Sequence, residues 1–258
     1  MRIICLGDSI MQRNDFSTYP QTGWVQELER FFPRTVEFLN FARNGRSTKS
    51  FIEEGRFKRA LETARAGDFA LIQFGHNDEK ANDPARFTSP ERGADAHGYT
   101  SFRANLALFV TEFQKIGVRP VLLTPVARRK FDGKTLCATH GAYPLAVIET
   151  ARERSVPCID ATALTEAALS ALGEEASRRL FMNFGAGEYE SCPDGKSDNS
   201  HLRPDGAYFV SKIVAERIAR IAEDFPAYAE LSGAVLLGKG ASCAKDDREI
   251  DDEYVVYR

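Results

Sequence analysis

Three residues of the chain have the types that ester hydrolysis requires: a serine, a histidine and an aspartate. Ser9 follows the apolar run Ile3–Leu6, so its hydroxyl is expected at a strand-to-helix turn, where the amides of the turn point at a bound ligand. Asp198 stands three residues before His201, a spacing that can place a carboxylate beside the imidazole, fix its tautomer and stabilise its protonated form. Each pattern alone also fits an ordinary polar turn, but the chain has only four histidines and therefore few candidate bases.

Two further turns carry groups that could bind a developing negative charge. Gly45 comes after the second apolar run and offers a backbone N–H that no side chain shields. His76 and Asn77 follow the third run, where an imidazole and an amide can point into a crevice. A turn glycine and a polar turn are the competing explanations for these residues when each is taken singly.

The elements that must position these turns are short apolar strands alternating with amphipathic helices. The five predicted strands are Ile3–Leu6, Val36–Phe41, Phe69–Phe74, Pro120–Thr124 and Val156–Ile159. The predicted helices cover residues 22–32, 47–66, 100–116, 143–154, 162–172, 174–181 and 204–225. This alternation indicates right-handed βαβ units and a parallel sheet covered on both faces, with ligands beyond the carboxyl ends of the strands. We predict one such domain over residues 1–225 and a C-terminal extension of uncertain structure over residues 226–258.

Composition and spacing argue against several classes of function. A net charge of −3 does not suit a sequence-independent nucleic-acid binder, and no apolar stretch approaches the length of a membrane span. The histidines lack the paired spacing of a metal site and no phosphate-binding glycine loop is present, so we expect no metal and no other cofactor. The five cysteines are scattered and Met1 leads directly into the first strand, so we expect a cytoplasmic protein. The oligomeric state stays open.

Seven sequence blocks occur in a fixed order along the chain. They are Gly7-Asp8-Ser9, Tyr19-Pro20-x-x-Gly23-Trp24, Asn44-Gly45-Arg46-Ser47, Gly75-His76-Asn77-Asp78, Thr124-Pro125-Val126-x-Arg128-Arg129, His140-Gly141-x-Tyr143-Pro144 and Pro193-Asp194-Gly195-x-x-Asp198-x-x-His201. Together they resemble the SGNH (GDSL-type) hydrolase superfamily and, within it, the rhamnogalacturonan acetylesterase family. The resemblance covers about Met1 to Ile221, and Ser200 stands where the family pattern leads us to expect threonine.

The resemblance implies a fold and a set of roles. The fold is a three-layer α/β/α sandwich around a five-stranded parallel, doubly wound sheet of the flavodoxin-like type. Ser9 would attack the ester carbonyl, His201 would take and return the proton, and Asp198 would orient His201. The Ser9 N–H, the Gly45 N–H and the Asn77 side-chain amide would hold the oxyanion.

The resemblance also implies a substrate, an acetylated rhamnogalacturonan oligosaccharide. Arg46 and Arg128 are expected to bind its acidic sugars, because an arginine fork matches a carboxylate. His76 is expected to contact substrate, and Trp24, with Tyr19, could provide a face on which a sugar stacks. Two alternatives remain: another SGNH esterase, lipase or thioesterase acting on small acyl groups, and a carbohydrate-binding protein that hydrolyses nothing.

Overall fold

The computed structural model describes residues 1–91 and 101–237, and its centre is a five-stranded parallel sheet. The strands of this sheet are β1 (Arg2–Gly7), β2 (Glu37–Asn40), β3 (Phe69–Gln73), β4 (Arg119–Leu123) and β7 (Cys158–Ile159). Their order across the sheet is β2-β1-β3-β4-β7, and all four pairings are parallel. The predicted doubly wound α/β sheet is confirmed, with the strand order of flavodoxin-like folds.

Helices cover both faces of the sheet. They are α1 (Trp24–Leu28), α2 (Thr48–Glu53), α3 (Arg56–Thr63), α4 (Phe102–Lys115), α5 (Tyr143–Glu153), α6 (Ala161–Ser177), α7 (Pro204–Ile218), α8 (Ile221–Asp224) and α9 (Ala229–Gly233). Alternate residues of β1 enter different cores: Ile3 packs on the face of α1 and α7, and Ile4 on the face of α4 and α5. Both faces of the strand are therefore buried, which explains its unbroken run of apolar residues. In the described ranges, no helix has the length and apolar character needed to cross a membrane.

Several predicted helices differ from the observed elements; the one expected over 204–225, for example, is interrupted between Ile218 and Ile221. The helix expected over 47–66 is divided into α2 and α3 by Gly55, whose φ of 68° lies in the left-handed region. The helix expected over 174–181 is wrong at its end, because α6 runs to Ser177 and a 3-10 turn leads into strand β8 (Phe181–Phe184). Strand β8 pairs antiparallel with β9 (Lys196–Leu202), and a second small hairpin joins β5 (Phe131–Asp132) to β6 (Thr135–Leu136).

The described part of the predicted extension packs on the rest of the domain. Tyr228 and Leu231 are buried in the core beside α7, and the Tyr228 hydroxyl donates to the Pro120 carbonyl at 2.7 Å. The division at residues 225 and 226 stays a prediction, since residues 238–258, with Cys243, lie outside the described residues. His97 also lies outside them.

Candidate active site

Ser9, His201 and Asp198 form a hydrogen-bonded row at the carboxyl edge of the sheet. His201 Nδ1 lies 2.7 Å from Asp198 Oδ2, and His201 Nε2 lies 3.0 Å from Ser9 Oγ. A carboxylate only accepts hydrogen bonds, so Nδ1 carries the ring hydrogen and the lone pair of Nε2 faces the serine hydroxyl. His201 can therefore take the proton of Ser9 when that oxygen attacks an electrophile.

The hairpin of β8 and β9 brings Asp198 and His201 to the same side. Phe181 pairs with Leu202 and the next residue, Met182, pairs with Asp198, so residues 199–201 bulge out of the ladder. In a regular strand, residues three apart point to opposite faces. The bulge removes that alternation and turns the imidazole back onto the carboxylate.

Asp198 is held as an anion by the turn that follows it. Its Oδ1 accepts from the backbone N–H groups of Ser200 at 2.8 Å and His201 at 3.0 Å. Burial alone would raise the pKa of Asp198, but the hydrogen bond and charge of His201, together with these two amides, lower it well below its usual range. The carboxylate is therefore ionised at neutral pH and can stabilise a protonated His201.

Three donors lie on the loops that follow β1, β2 and β3, which are adjacent parallel strands of the sheet. The N–H groups of Ser9 and Gly45 donate no hydrogen bond to any of the described residues. The Asn77 side-chain amide donates one hydrogen to the Arg46 carbonyl at 3.2 Å, which holds it against the Gly45 loop. Its second hydrogen remains available for another acceptor. Gly45 has a φ of 76°. The guanidinium carbon of Arg86 lies 3.8 Å from the place that a Cβ would occupy there.

Asp78 connects the loop that carries Gly45 to the loop that carries Asn77. Its fully buried carboxyl accepts at Oδ1 from the N–H and hydroxyl of Thr48, at 2.9 and 2.6 Å, and from the Thr88 hydroxyl at 2.7 Å. Thr48 begins α2, directly after the Gly45 loop, and Asp78 directly follows Asn77. Burial raises the pKa of Asp78 to about 7.

A second Asp–His pair includes Asp8, the residue before Ser9. Asp8 is fully buried and His76 is 6% exposed, and Asp8 Oδ2 lies 3.4 Å from His76 Nδ1 without the alignment of a hydrogen bond. Burial lowers the pKa of His76, although Asp8 acts in the opposite direction. The placement of His76 leaves little of its ring for a substrate.

The other residues predicted to bind substrate are placed differently from expectation. The prediction for Trp24 is wrong: it is fully buried and its indole N–H donates to Gln73 Oε1 at 2.9 Å, so it offers no sugar-stacking face. The Arg46 Nε donates to both Glu54 oxygens, at 3.0 and 2.9 Å. Arg128 forms an ion pair with Glu79. Carboxylates of this protein therefore occupy guanidinium donors that the prediction assigned to a substrate carboxylate.

Several residues that contact the predicted site residues had no predicted role. Glu79, directly after Asp78, accepts from Arg128 and lies 3.1 Å from His140 Nδ1, and its place beside a recognised block was the available signal. Nothing in the sequence marked Arg86. Tyr189 also lacked a signal; its ring meets that of Tyr19 edge to face at 5.6 Å.

The assembled groups have the composition of an acyl-transfer site: a nucleophile, a base with its orienting carboxylate, and donors for an oxyanion. Across residues 1–91 and 101–237, no three His, Cys, Asp or Glu side chains are grouped so that they could hold a metal ion.

Comparison with known proteins identifies the family of the chain and several relatives. Residues 5–207 match the GDSL-like Lipase/Acylhydrolase family. The chain is 38% identical over 222 residues to the rhamnogalacturonan acetylesterase RhgT of Bacillus subtilis (strain 168), covering 86% of this chain and 90% of that protein. It is 32% identical over 219 residues to YesY of the same organism, named a probable rhamnogalacturonan acetylesterase, covering 85% and 93%. The crystal structure of YxiM from Bacillus subtilis superposes with a TM-score of 0.67 at 20% identity, over 85% of this chain and 56% of that one.

Proposed function

The chain belongs to the GDSL-like lipase/acylhydrolase family and is a carboxylic ester hydrolase; from this premise we propose that it removes acetyl groups from carbohydrate, using Ser9, His201 and Asp198 as a catalytic triad. The observation that carries the proposal is the unbroken row from Asp198 through His201 to Ser9, with both links at hydrogen-bond distance. The two acetylesterase relatives support acetyl as the acyl group.

The reaction follows from these positions in two halves. Ser9 Oγ bonds to the acetyl carbon while its proton passes to His201 Nε2, and the Ser9 and Gly45 amides with Asn77 receive the carbonyl oxygen as it becomes an oxyanion. When the intermediate collapses, the sugar oxygen leaves and takes the proton from His201, so acetyl-Ser9 remains. Water then attacks that ester with His201 again as base, releasing acetate and restoring the serine hydroxyl.

The test of this machinery is the pair of variants Ser9→Ala and His201→Ala, assayed with p-nitrophenyl acetate. Each is expected to lower kcat by about 10⁴-fold or more, and the double variant is expected to be hardly worse, because the two residues act as one unit. An acyl series from acetyl to octanoyl should show the fastest turnover with acetyl. Near-normal turnover by Ser9→Ala would refute the mechanism.

For the substrate we propose acetylated rhamnogalacturonan oligosaccharides, on the strength of the two relatives. Cations at the rim support an acidic glycan, although they differ from those expected from sequence. Arg86 stands over Gly45, and Asp83 Oδ2 lies 3.2 Å from its Nε. Lys80 lies on the loop of Asn77, where its backbone N–H donates to the Asn77 carbonyl at 3.3 Å, and its pKa is lowered first by partial burial and then by the charge of Arg86.

The substrate proposal is tested with acetylated rhamnogalacturonan oligosaccharides against neutral acetylated xylo-oligosaccharides, at low and high salt. Arg86→Gln should lower the preference for the acidic glycan, and salt should lower it in the wild type, because salt screens exposed charges. Arg220→Gln is the matched control, since Arg220 also pairs with a carboxylate three residues away, Glu223, and is exposed on α8. Equal rates on both glycans in the wild type would refute the acidic substrate and leave the esterase activity standing.

A cytoplasmic location is also part of the proposal. The four cysteines among the described residues, Cys5, Cys137, Cys158 and Cys192, are all free thiols, which suits a reducing compartment. Fractionation of cells that produce the protein tests this location, and recovery of the protein outside the cytoplasm would contradict it.

A further inference from the structure

We propose that two consecutive arginines, Arg128 and Arg129, are positioning residues that hold the bulge of residues 199–201 and thereby set His201 against Ser9. The inference rests on the proposed function, in which His201 is the general base. The bulge lies between Asp198 and the place where β9 resumes its pairing at Leu202. The ladder does not pair residues 199–201, so side-chain contacts hold them: Asn183 of β8 donates to Asn199 Oδ1 at 2.8 Å, and the two arginines reach the bulge from outside the hairpin.

Arg128 connects the bulge to the loop that carries Asn77. Its Nε donates to Ser200 Oγ at 3.1 Å, one residue before His201. Its Nη2 donates to the His76 carbonyl at 3.3 Å, one residue before Asn77, and the same guanidinium pairs with Glu79. One side chain thus links the loop of the base to the loop of an oxyanion donor.

Glu79 fixes Arg128 in this place. Its other oxygen lies 3.1 Å from Nδ1 of His140, whose Nε2 lies 2.9 Å from the Val126 carbonyl. Burial would raise the pKa of Glu79, but hydrogen bonds and charge from His140 and Arg128 lower it, so it is the anion that balances Arg128. A guanidinium held in this way costs little side-chain entropy when it binds Ser200.

Arg129 connects the same bulge to α6. Its backbone N–H donates to the Asn199 carbonyl at 2.9 Å, and its Nη1 donates to Asn199 Oδ1 at 3.0 Å. Its Nε donates to the Glu174 carbonyl at 3.1 Å and to Ser177 Oγ at 3.2 Å. Arg129 is only 7% exposed, so it serves the interior of the protein and not a ligand.

The two arginines therefore fasten adjacent residues of the bulge to different parts of the fold. Asn199 is held toward α6 and Ser200 toward the loop after β3. A base displaced by about 1 Å can cost on the order of 100-fold in rate, so this support should appear in kcat. The sequence pattern suggested that Arg128 binds substrate, and the contacts assign it a different task.

The test uses p-nitrophenyl acetate, an ester that carries no sugar and no carboxylate. Arg128→Gln and Ser200→Ala are each expected to lower kcat by about 10-fold to 100-fold with little change in KM, and the double variant should be no worse than the stronger single one. Ser200→Thr keeps the acceptor oxygen and should recover most of the activity lost in Ser200→Ala. Arg129→Gln should also lower kcat.

Arg119→Gln is the matched control. Arg119 lies at the opposite end of β4, donates to the Gly67 and Ala227 carbonyls at 2.8 Å each, and pairs with Glu230. Its replacement should lower the melting temperature and leave kcat within about twofold, because its contacts stabilise the fold far from the bulge.

Two results obtained with Arg128→Gln would overturn the inference. One is an Arg128→Gln variant with normal kcat on p-nitrophenyl acetate and a raised KM for acidic oligosaccharides only, which would make Arg128 a substrate-binding residue. The other is full additivity of Arg128→Gln and Ser200→Ala. If Arg128→Gln does not fold, equal activities of Ser200→Ala and wild type would overturn it as well. Activity retained by Ser9→Ala would instead refute the proposed function, so the two failures are distinguishable.

Discussion

Two aspartate–histidine pairs lie next to Ser9, the nucleophile that we propose, and they differ in geometry and burial. Asp198 and His201 are 2.7 Å apart, with side chains 20% and 31% exposed. Asp8 and His76 are 3.4 Å apart, with side chains that are 0% and 6% exposed. The first pair contacts Ser9 Oγ through Nε2, whereas Asp8 adjoins Ser9 only through the chain.

The difference shows that surroundings, and not residue types, decide which pair can carry a proton. In the exposed pair, backbone amides keep Asp198 anionic, and the imidazole faces a hydroxyl that can give up its proton. In the buried pair, loss of solvent lowers the pKa of His76, and neither Asp8 Oδ2 nor His76 Nδ1 has a hydrogen-bond partner among the described residues. Asp8 accepts the N–H of Ile10 at 3.0 Å and supports the turn that presents Ser9.

Changing each aspartate to asparagine tests most directly whether the two pairs have different roles. Asp198→Asn should lower kcat by about 10⁴-fold at pH 7, because an amide favours the wrong tautomer of His201 and cannot stabilise its cation. Asp8→Asn should lower kcat by no more than about 10-fold, since the new side chain keeps the oxygen that accepts from Ile10. Both are measured with p-nitrophenyl acetate between pH 6 and 9. Equal losses in the two variants would show that the buried pair shares in the chemistry.

Asn77→Ala tests the oxyanion donor that we propose on the loop after β3. The amide should meet the oxyanion chiefly in the transition state, so kcat is expected to fall by about 10²-fold to 10³-fold. KM should change by no more than about threefold, because the ground-state carbonyl is held weakly. Steady-state kinetics with p-nitrophenyl acetate checks the split. A raised KM with unchanged kcat would make Asn77 a substrate-binding residue.

The parts of the site that sequence could predict are those with a local signal. Apolar runs marked all five sheet strands, and the turns after them carried Ser9, Gly45 and Asn77. Asp198 and His201 were recognisable as a spaced pair, but their strand β9 was not. It reads Lys-Ser-Asp-Asn-Ser-His-Leu, so no apolar alternation reveals a strand, and the bulge removes what period remains.

What sequence could not predict depends on partners distant along the chain. Trp24 was predicted to stack on a sugar, but its indole N–H donates to Gln73 inside the core. Arg46 and Arg128 resembled carboxylate binders, and the carboxylates they meet are Glu54 and Glu79 of the same protein. An arginine at the edge of a predicted site therefore indicates a carboxylate partner, but it does not indicate whether that carboxylate belongs to the substrate or to the protein.

The smallest expected effect concerns stability, and it contrasts Asp8 with Asp78, two fully buried aspartates beside the site. Burial raises the pKa of Asp78 to about 7, above the value of about 4 in an unfolded chain. Between these values the unfolded state releases a proton that the folded state keeps, so Asp78 costs stability as pH rises, by up to about 1.4 kcal/mol per pH unit.

The pKa of Asp8 is lowered. Burial opposes this shift, but the contact with His76 and the hydrogen bond from the Ile10 amide outweigh it. Asp8 therefore contributes stability that is present above about pH 4 and is lost as pH falls through its folded pKa.

The free energy of unfolding in urea, measured at pH 4.5, 6 and 7.5, should show a pH trend relative to the wild type for Asp78→Asn and none for Asp8→Asn. Relative to the wild type, Asp78→Asn should gain stability with rising pH, by about 2 to 4 kcal/mol over this range. The amide that replaces Oδ2 has its own cost in a buried place, but that cost does not vary with pH, so only the slope is diagnostic. Asp8→Asn should show no such gain, because the contribution of Asp8 changes only below about pH 4 and is constant over this range. Parallel pH profiles for Asp78→Asn and the wild type would mean that Asp78 is ionised throughout, with the Thr48 and Thr88 hydroxyls as sufficient compensation for its burial.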